Sequence, residues 1–143
     1  MLEEKNILEN YIHTKGLRST PQRNKILEIF LQHEAHVSAE ELLQLVQRKY
    51  PDVSQATVFR AVKVFCAAGL ADKVQDEYGV VKYEHAYKHK KHGHLMCTSC
   101  GAIIEFDDPG LQDMQNRISK KQRFAARNTT IKIVGLCHAC SKK

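Results

Sequence analysis

The chain has no run of about 18 apolar residues able to span a bilayer, and its start, MLEEKNILENYIHTKG, lacks the apolar stretch of a secretory leader. Membrane insertion and export are therefore set aside, and a cytoplasmic location is expected. There is no internal repeat or low-complexity tract, which excludes a repeat array. There is no HExxH helix and no deaminase-type signature, so the common zinc-hydrolase patterns are missing. Acidic residues are in deficit, 16 against 22 Lys and Arg, giving a net charge of +6 and a pI near 9.1. That excess favours nucleic acid or another anion as partner. Its 143 residues suffice for one or two small domains.

Cysteine is scarce too, but four of the five stand as two CxxC pairs, Cys97/Cys100 and Cys137/Cys140, separated by the 36 residues from Gly101 to Leu136. Two such pairs have the ligand count of a closed tetrahedral zinc site, and a reducing compartment favours metal over disulfides. A redox pair is the competing reading. Structural zinc is worth on the order of 10 kcal/mol in small peptides, enough to decide whether a domain of about 50 to 60 residues folds. Cys66 is left over in the apolar stretch VKVFCAAGL and reads as an inert, buried thiol.

The character of the chain changes near residue 87. Before it, Leu2, Ile7, Leu8, Tyr11 and Ile12 mark a helix over about 2–15, ending at Gly16. Thr20-Pro21 opens a second helix that stops near His33. Ser38 and Glu41 form a capping box for a third, which ends before Tyr50-Pro51, and Ser54 caps a fourth that runs to Ala68 and closes at Gly69. Two β-like runs over 70–75 and 80–85, joined by a turn ending in Gly79, complete the layout of a winged helix. A basic linker over 88–91 follows. Strands are expected over 94–96, 102–106 and 129–134, with a helix over 109–122 opened by Asp108-Pro109.

On 100° steps, Val58, Val62 and Phe65 share the inward side of the fourth helix. Ala56, Arg60, Lys63 and Ala67 face away, flanked by Gln55 and Phe59. Alanine permits close approach to a major groove, Arg60 can bond guanine or phosphate, and Phe59 can touch a thymine methyl. The bland alternative is an ordinary solvated basic face. Histidines gather directly before the first CxxC pair, ending His92-Gly93-His94, whereas His13, His33 and His138 read as surface or capping residues.

GLRSTPQRNKILEIF, HVSAEELL, SQATVFRAVKVFCAAGL, and HGHLMCTSCGAIIEF with the later CHAC together resemble the ferric uptake regulator family along nearly the whole chain. The resemblance implies an α+β protein: a winged helix-turn-helix DNA-binding domain over 1–87, a hinge over 88–93 and a small α/β dimerisation domain with a four-cysteine zinc site over 94–143. Carried over by position, Cys97, Cys100, Cys137 and Cys140 hold structural Zn2+, one per subunit, while His36, Glu84, His92, His94 and Glu105 form a regulatory metal site. DNA contacts fall on Lys15, Ala56, Thr57, Phe59, Arg60 and Lys63, with Lys15 similar to a residue that enters an AT-rich minor groove. The partners implied are a palindromic double-stranded operator and a second copy of the chain, with pairing of dimers into a tetramer left open. His85 and His89 compete for the ligand role, because the interval from Glu84 to His92 is one residue longer than in some members.

Many members carry a third site, but the corresponding residues here, Lys91, Gly93, Gln112 and Thr129, make no credible ligand set, so it is expected to be absent. Peroxide sensors of the family have aspartate where this chain has Glu84 and Glu105, and zinc-uptake regulators place a cysteine in the regulatory site. Fe2+ is the favoured corepressor by elimination, with Mn2+ second and Zn2+ possible on affinity grounds. A metal-dependent repressor with no catalysis is the expected function. Peroxide, manganese or zinc sensing are alternatives within the family, and a small zinc enzyme or a thiol redox switch are rivals outside it.

Overall fold

Side-chain caps set where the first elements begin. In a computed structural model describing residues 1–76, 78–87, 92–126 and 129–143, α1 (Leu2–Thr14) is followed by α2 (Pro21–Gln32), whose Thr20 hydroxyl accepts from the Arg23 amide. α3 (Ala39–Lys49) opens with the full reciprocal box: the Ser38 hydroxyl accepts from the Glu41 amide, and the Glu41 carboxylate accepts from the Ser38 amide. Ser54 accepts from the Thr57 amide at the start of α4 (Gln55–Ala67). Each cap satisfies amide donors that the helix geometry leaves unpaired. Gly69, at φ +78°, ends α4 in the left-handed region where a side chain would be strained.

The wing is the antiparallel pair β1 (Ala71–Gln75) and β2 (Val81–His85), in register from Ala71 opposite His85 to Gln75 opposite Val81. The Asp76 carboxylate accepts from the Tyr78 and Val80 amides, both at 2.9 Å, and so shapes the turn. Val37 adds an isolated bridge to Tyr83 on β2, with amide-to-carbonyl bonds of 3.0 and 2.7 Å. Sixteen apolar residues of these elements and the segments joining them form one buried cluster, including Leu8, Ile26, Phe30, Leu42, Val46, Val58, Val62 and Phe65. Burying each large side chain contributes about 1.5–3 kcal/mol.

The chain divides into two compact units, Met1–His89 and Lys90–Lys143. The expected linker over 88–91 lies outside the described residues. In the second unit β3 (Gly93–Cys97) is the centre of a three-stranded sheet ordered β4-β3-β5, antiparallel to β4 (Ile103–Phe106) and parallel to β5 (Lys132–Gly135). α5 (Gly110–Lys121) makes the crossover, with the Asp108 carboxylate accepting from the Gly110 amide at 2.7 Å. Parallel strands need such a connection.

Two features of this unit differ from the spacing-based reading. The last strand runs over 132–135 rather than 129–134, because its ladder begins where His94 faces Lys132; the β-branched pair Thr129-Thr130 precedes it. A short helix, α6 (His138–Ser141), follows, four residues being too few for a hydrophobic period to reveal.

Candidate metal centres and nucleic-acid interface

The first CxxC pair lies where β3 ends, and the second brackets the first turn of α6. Gly101, at φ +75°, turns the chain back after Cys100, and its amide donates to the Cys97 carbonyl at 3.0 Å. The four sulfurs lie within 4.8 Å of one another, and Cys100 and Cys137 Sγ are 3.8 Å apart. A tetrahedron with arms of about 2.3 Å has edges of about 3.8 Å, so the donor set fits zinc. Amides prepare it for negative charge: Cys100 and Cys137 donate to Cys97 Sγ at 3.5 and 3.3 Å, holding that thiol down to about 6. At Cys140 the Ser99 hydroxyl works the other way and is outweighed: Cys137, burial, Cys97 and Cys100 push the thiol up to about 12. The Cys140 thiol therefore favours giving up its proton only with a cation beside it.

Within the first unit, the Val37–Tyr83 bridge sets the residue before Val37 beside the residue after Tyr83. His36 Nε2 and Glu84 Oε2 are consequently 2.7 Å apart, and Glu84 is only 8% exposed. A carboxylate that buried needs a cationic or hydrogen-bonding partner. Within the second unit, the His92 and His94 rings meet edge to face with centroids 4.7 Å apart, and His92 Nε2 lies 3.7 Å from Glu105 Oε1. His94 is buried, while Glu105 is half exposed. The β3–β4 register, His94 opposite Glu105, accounts for this approach. Each unit thus carries imidazole and carboxylate donors of the borderline-to-hard type that suits Fe2+, Mn2+ or Zn2+.

Sequence reasoning missed the use made of His85. Its Nε2 is 2.6 Å from the Phe30 carbonyl, its ring stands edge-on to Phe30 at 4.9 Å, and Phe30 stacks on Phe65 of α4 at 6.0 Å. A partner 55 residues away gives no local signal. His85 is engaged with α2, and His89 lies outside the described residues. Of the third-site positions, Lys91 lies outside the described residues, and Gln112 and Thr129 line a cavity of about 570 Å3. Gly93 is buried, and a Cβ there would run into the Phe106 ring, so an acidic residue would have to drive that ring out.

On α4, Val58, Val62 and Phe65 are fully buried, while Ala56, Arg60, Lys63 and Ala67 are exposed. Lys15 is exposed as well. Two expected DNA contacts are partly committed elsewhere: Phe59 packs partly against the core, and the Thr57 hydroxyl is 2.8 Å from that of Ser54. Phe59, Lys63, Val80 and Tyr83 border a groove between α4 and the wing.

The profile of the Ferric uptake regulator family matches residues 14–134. The chain belongs to this family. It is 33% identical over 141 residues to the peroxide operon regulator of Bacillus subtilis, covering 99% of this chain and 95% of that one. It is 30% identical over 139 residues to the ferric uptake regulation protein of the same organism, covering 95% and 93%. Among solved structures, the Helicobacter pylori ferric uptake regulator, described as having three functional metal binding sites, aligns with a TM-score of 0.79 at 26% identity, over 98% of this chain and 95% of that one. A manganese-containing ferric uptake regulator from Pseudomonas aeruginosa gives 0.78 at 28% identity, over 91% and 97%.

Proposed function

We propose that this member of the family is a repressor whose grip on DNA is set by a regulatory metal, with ferrous iron as corepressor. As a metal-dependent regulator it binds operator DNA as a homodimer. The observation that carries the reading is the His36–Glu84 pair, 2.7 Å apart and anchored on the wing strand of the unit that also presents Arg60 and Lys63. A cation held there acts directly on the DNA-reading unit. The proposed ligands of the regulatory metal are His36 and Glu84 together with His92, His94 and Glu105. Glutamate at both acidic positions favours iron or manganese sensing over peroxide sensing. Zinc occupies Cys97, Cys100, Cys137 and Cys140 as a permanent staple; the 3.8 Å sulfur separation supports that assignment over a redox pair.

Lys15, Ala56, Thr57, Phe59, Arg60 and Lys63 are the proposed contacts to an AT-rich palindrome, with Arg60 and Lys63 leading because both are exposed on α4. The domain assignment follows: residues 1–87 read DNA, 88–93 form the hinge and 94–143 dimerise. Support for dimerisation comes from β5, an unpaired sheet edge among the described residues, and from Ile104 and Ile133, exposed in register on either side of Leu95. Among the described residues no helix is long and apolar enough to cross a membrane, and we place the regulator in the cytoplasm, with no catalytic step of its own.

Operator affinity titrated anaerobically against ferrous iron, then manganese, tests the reading. Moving the DNA-competent population from 1:99 to 99:1 takes about 5.5 kcal/mol of differential binding. Metal should tighten binding by at least roughly 100-fold, and His92→Ala with His94→Ala should abolish the effect. Equal operator affinity of the metal-free protein and this double variant with the loaded parent would sink the proposal.

A further inference from the structure

The basic excess of the chain is not in the unit that carries the reading helix. Residues 1–89 contain twelve Lys and Arg against twelve Asp and Glu, whereas residues 90–143 contain ten against four, so the whole net charge of +6 belongs to the second unit. Much of it gathers at the end of α5. Arg117, Lys120 and Lys121, at i, i+3 and i+4, share one flank of the helix, and Arg123 follows directly. All four are exposed, and none has an ion pair or side-chain hydrogen bond with any described residue, not even Arg117 with Asp113 one turn before it.

The backbone adds a second observation. The Phe124 amide donates to the Ser119 carbonyl at 2.8 Å and the Arg123 amide to the Lys120 carbonyl at 3.1 Å, the paired bonds of a Schellman stop. Its left-handed position normally takes glycine, yet here Arg123 occupies it, at φ +51°, the one positive-φ non-glycine among the described residues. The helix dipole accounts for Lys120 and Lys121 in the last turn. It does not account for Arg117, more than a turn from the end of the helix, nor for an arginine kept where the backbone favours glycine.

We infer that the end of α5, through Arg117, Lys120, Lys121 and Arg123, is a second DNA-binding surface that takes duplex phosphates without reading sequence. A neutral reading unit leaves little long-range attraction of its own, and unpaired cations on a rigid helix end supply it by displacing condensed counterions. The inference rests on the chain being a DNA-binding regulator.

The test uses the full-length, zinc-replete, manganese-loaded protein on a mixed-sequence duplex of about six helical turns, titrated over a range of salt. In the quadruple variant Arg117→Gln, Lys120→Gln, Lys121→Gln, Arg123→Gly, affinity should fall about tenfold or more, and the slope of log affinity against log salt should shrink by about 0.9 for each phosphate no longer neutralised. Arg123→Gly alone should raise the Tm while weakening DNA binding, opposite signs that a purely structural arginine would not give. A folded, dimeric quadruple variant with parental affinity and slope overturns the surface, and an acidic protein as its true partner would give that result. If the parent binds no duplex in any metal state, the regulator reading fails as well; a bound parent with an equally bound variant removes this inference alone.

Discussion

Residues 1–89 bury sixteen apolar side chains in one cluster, whereas the only buried apolar or thiol side chains described in 90–143 are Met96, Cys97 and Cys140. The second unit instead leaves Ile104, Ile118, Phe124, Ile133, Val134 and Leu136 exposed. An apolar core of that size cannot outweigh the entropy of ordering about 50 residues. The first unit is therefore stable through its own interior, whereas the second needs stabilisation from what binds it, in the proposed reading zinc at four sulfurs and a second copy against its sheet. The same division separates the charges, neutral in the cored unit and basic in the other.

Removing the zinc should expose this contrast most strongly. Cys140→Ser, or a strong chelator applied to the parent, should unfold 90–143 and dissociate the dimer while α1–α4 and the wing keep their amide-exchange protection. Hydrogen exchange by peptide, with sedimentation for the dimer, checks both halves of that expectation. Equal loss of protection in both units would break the comparison, because it would mean that the first unit leans on the second.

The complementary perturbation is Phe65→Ala. Phe65 is fully buried and stacks on Phe30 at 6.0 Å, so truncation should destabilise the first unit by about 3–5 kcal/mol. Zinc content and dimerisation should stay at parental levels. Denaturant unfolding followed by a probe in each unit reads the difference.

Local chemistry carried much of this organisation, and long-range pairing carried the rest. Ser38 and Glu41 announce α3 because a capping box is complete within four residues, and the inward face of α4 is visible because Val58, Val62 and Phe65 repeat at the helical period. The four cysteines are legible as a ligand set by spacing alone. Three things are not visible that way. Whether Phe59 points to DNA or to the core depends on neighbours supplied by other elements. The start of β5 is set by its parallel partner β3 rather than by its own β-branched residues. The juxtaposition of His36 and Glu84 needs the bridge from Val37 to Tyr83, 46 positions along the chain.

His85 offers a smaller test of how the cored unit holds the proposed metal ligand beside it. His85→Leu keeps bulk against Phe30 but leaves the Phe30 carbonyl without its 2.6 Å partner, a loss of about 1 kcal/mol. If the contact fixes β2 and hence Glu84, metal affinity should fall with stability. Unchanged metal affinity in a slightly less stable variant would confine His85 to packing.

The least effect is expected at the fifth cysteine, and it separates the two kinds of thiol. Burial raises the Cys66 thiol above its ordinary range, Asp72 adding to the shift and Lys73 opposing it. A raised thiol holds less thiolate at mildly alkaline pH, and only the thiolate alkylates. Cys66 should therefore react with iodoacetamide several times more slowly than a free cysteine, and chelation should not change that rate, since its protection comes from the apolar side chains around it. Cys97, Cys100, Cys137 and Cys140 should be protected only while zinc is bound and become reactive together once it is stripped. Mass spectrometry of alkylated peptides, with and without chelator, resolves the two classes; a Cys66 rate that rises with chelation would show that the cored unit does not hold its own interior closed.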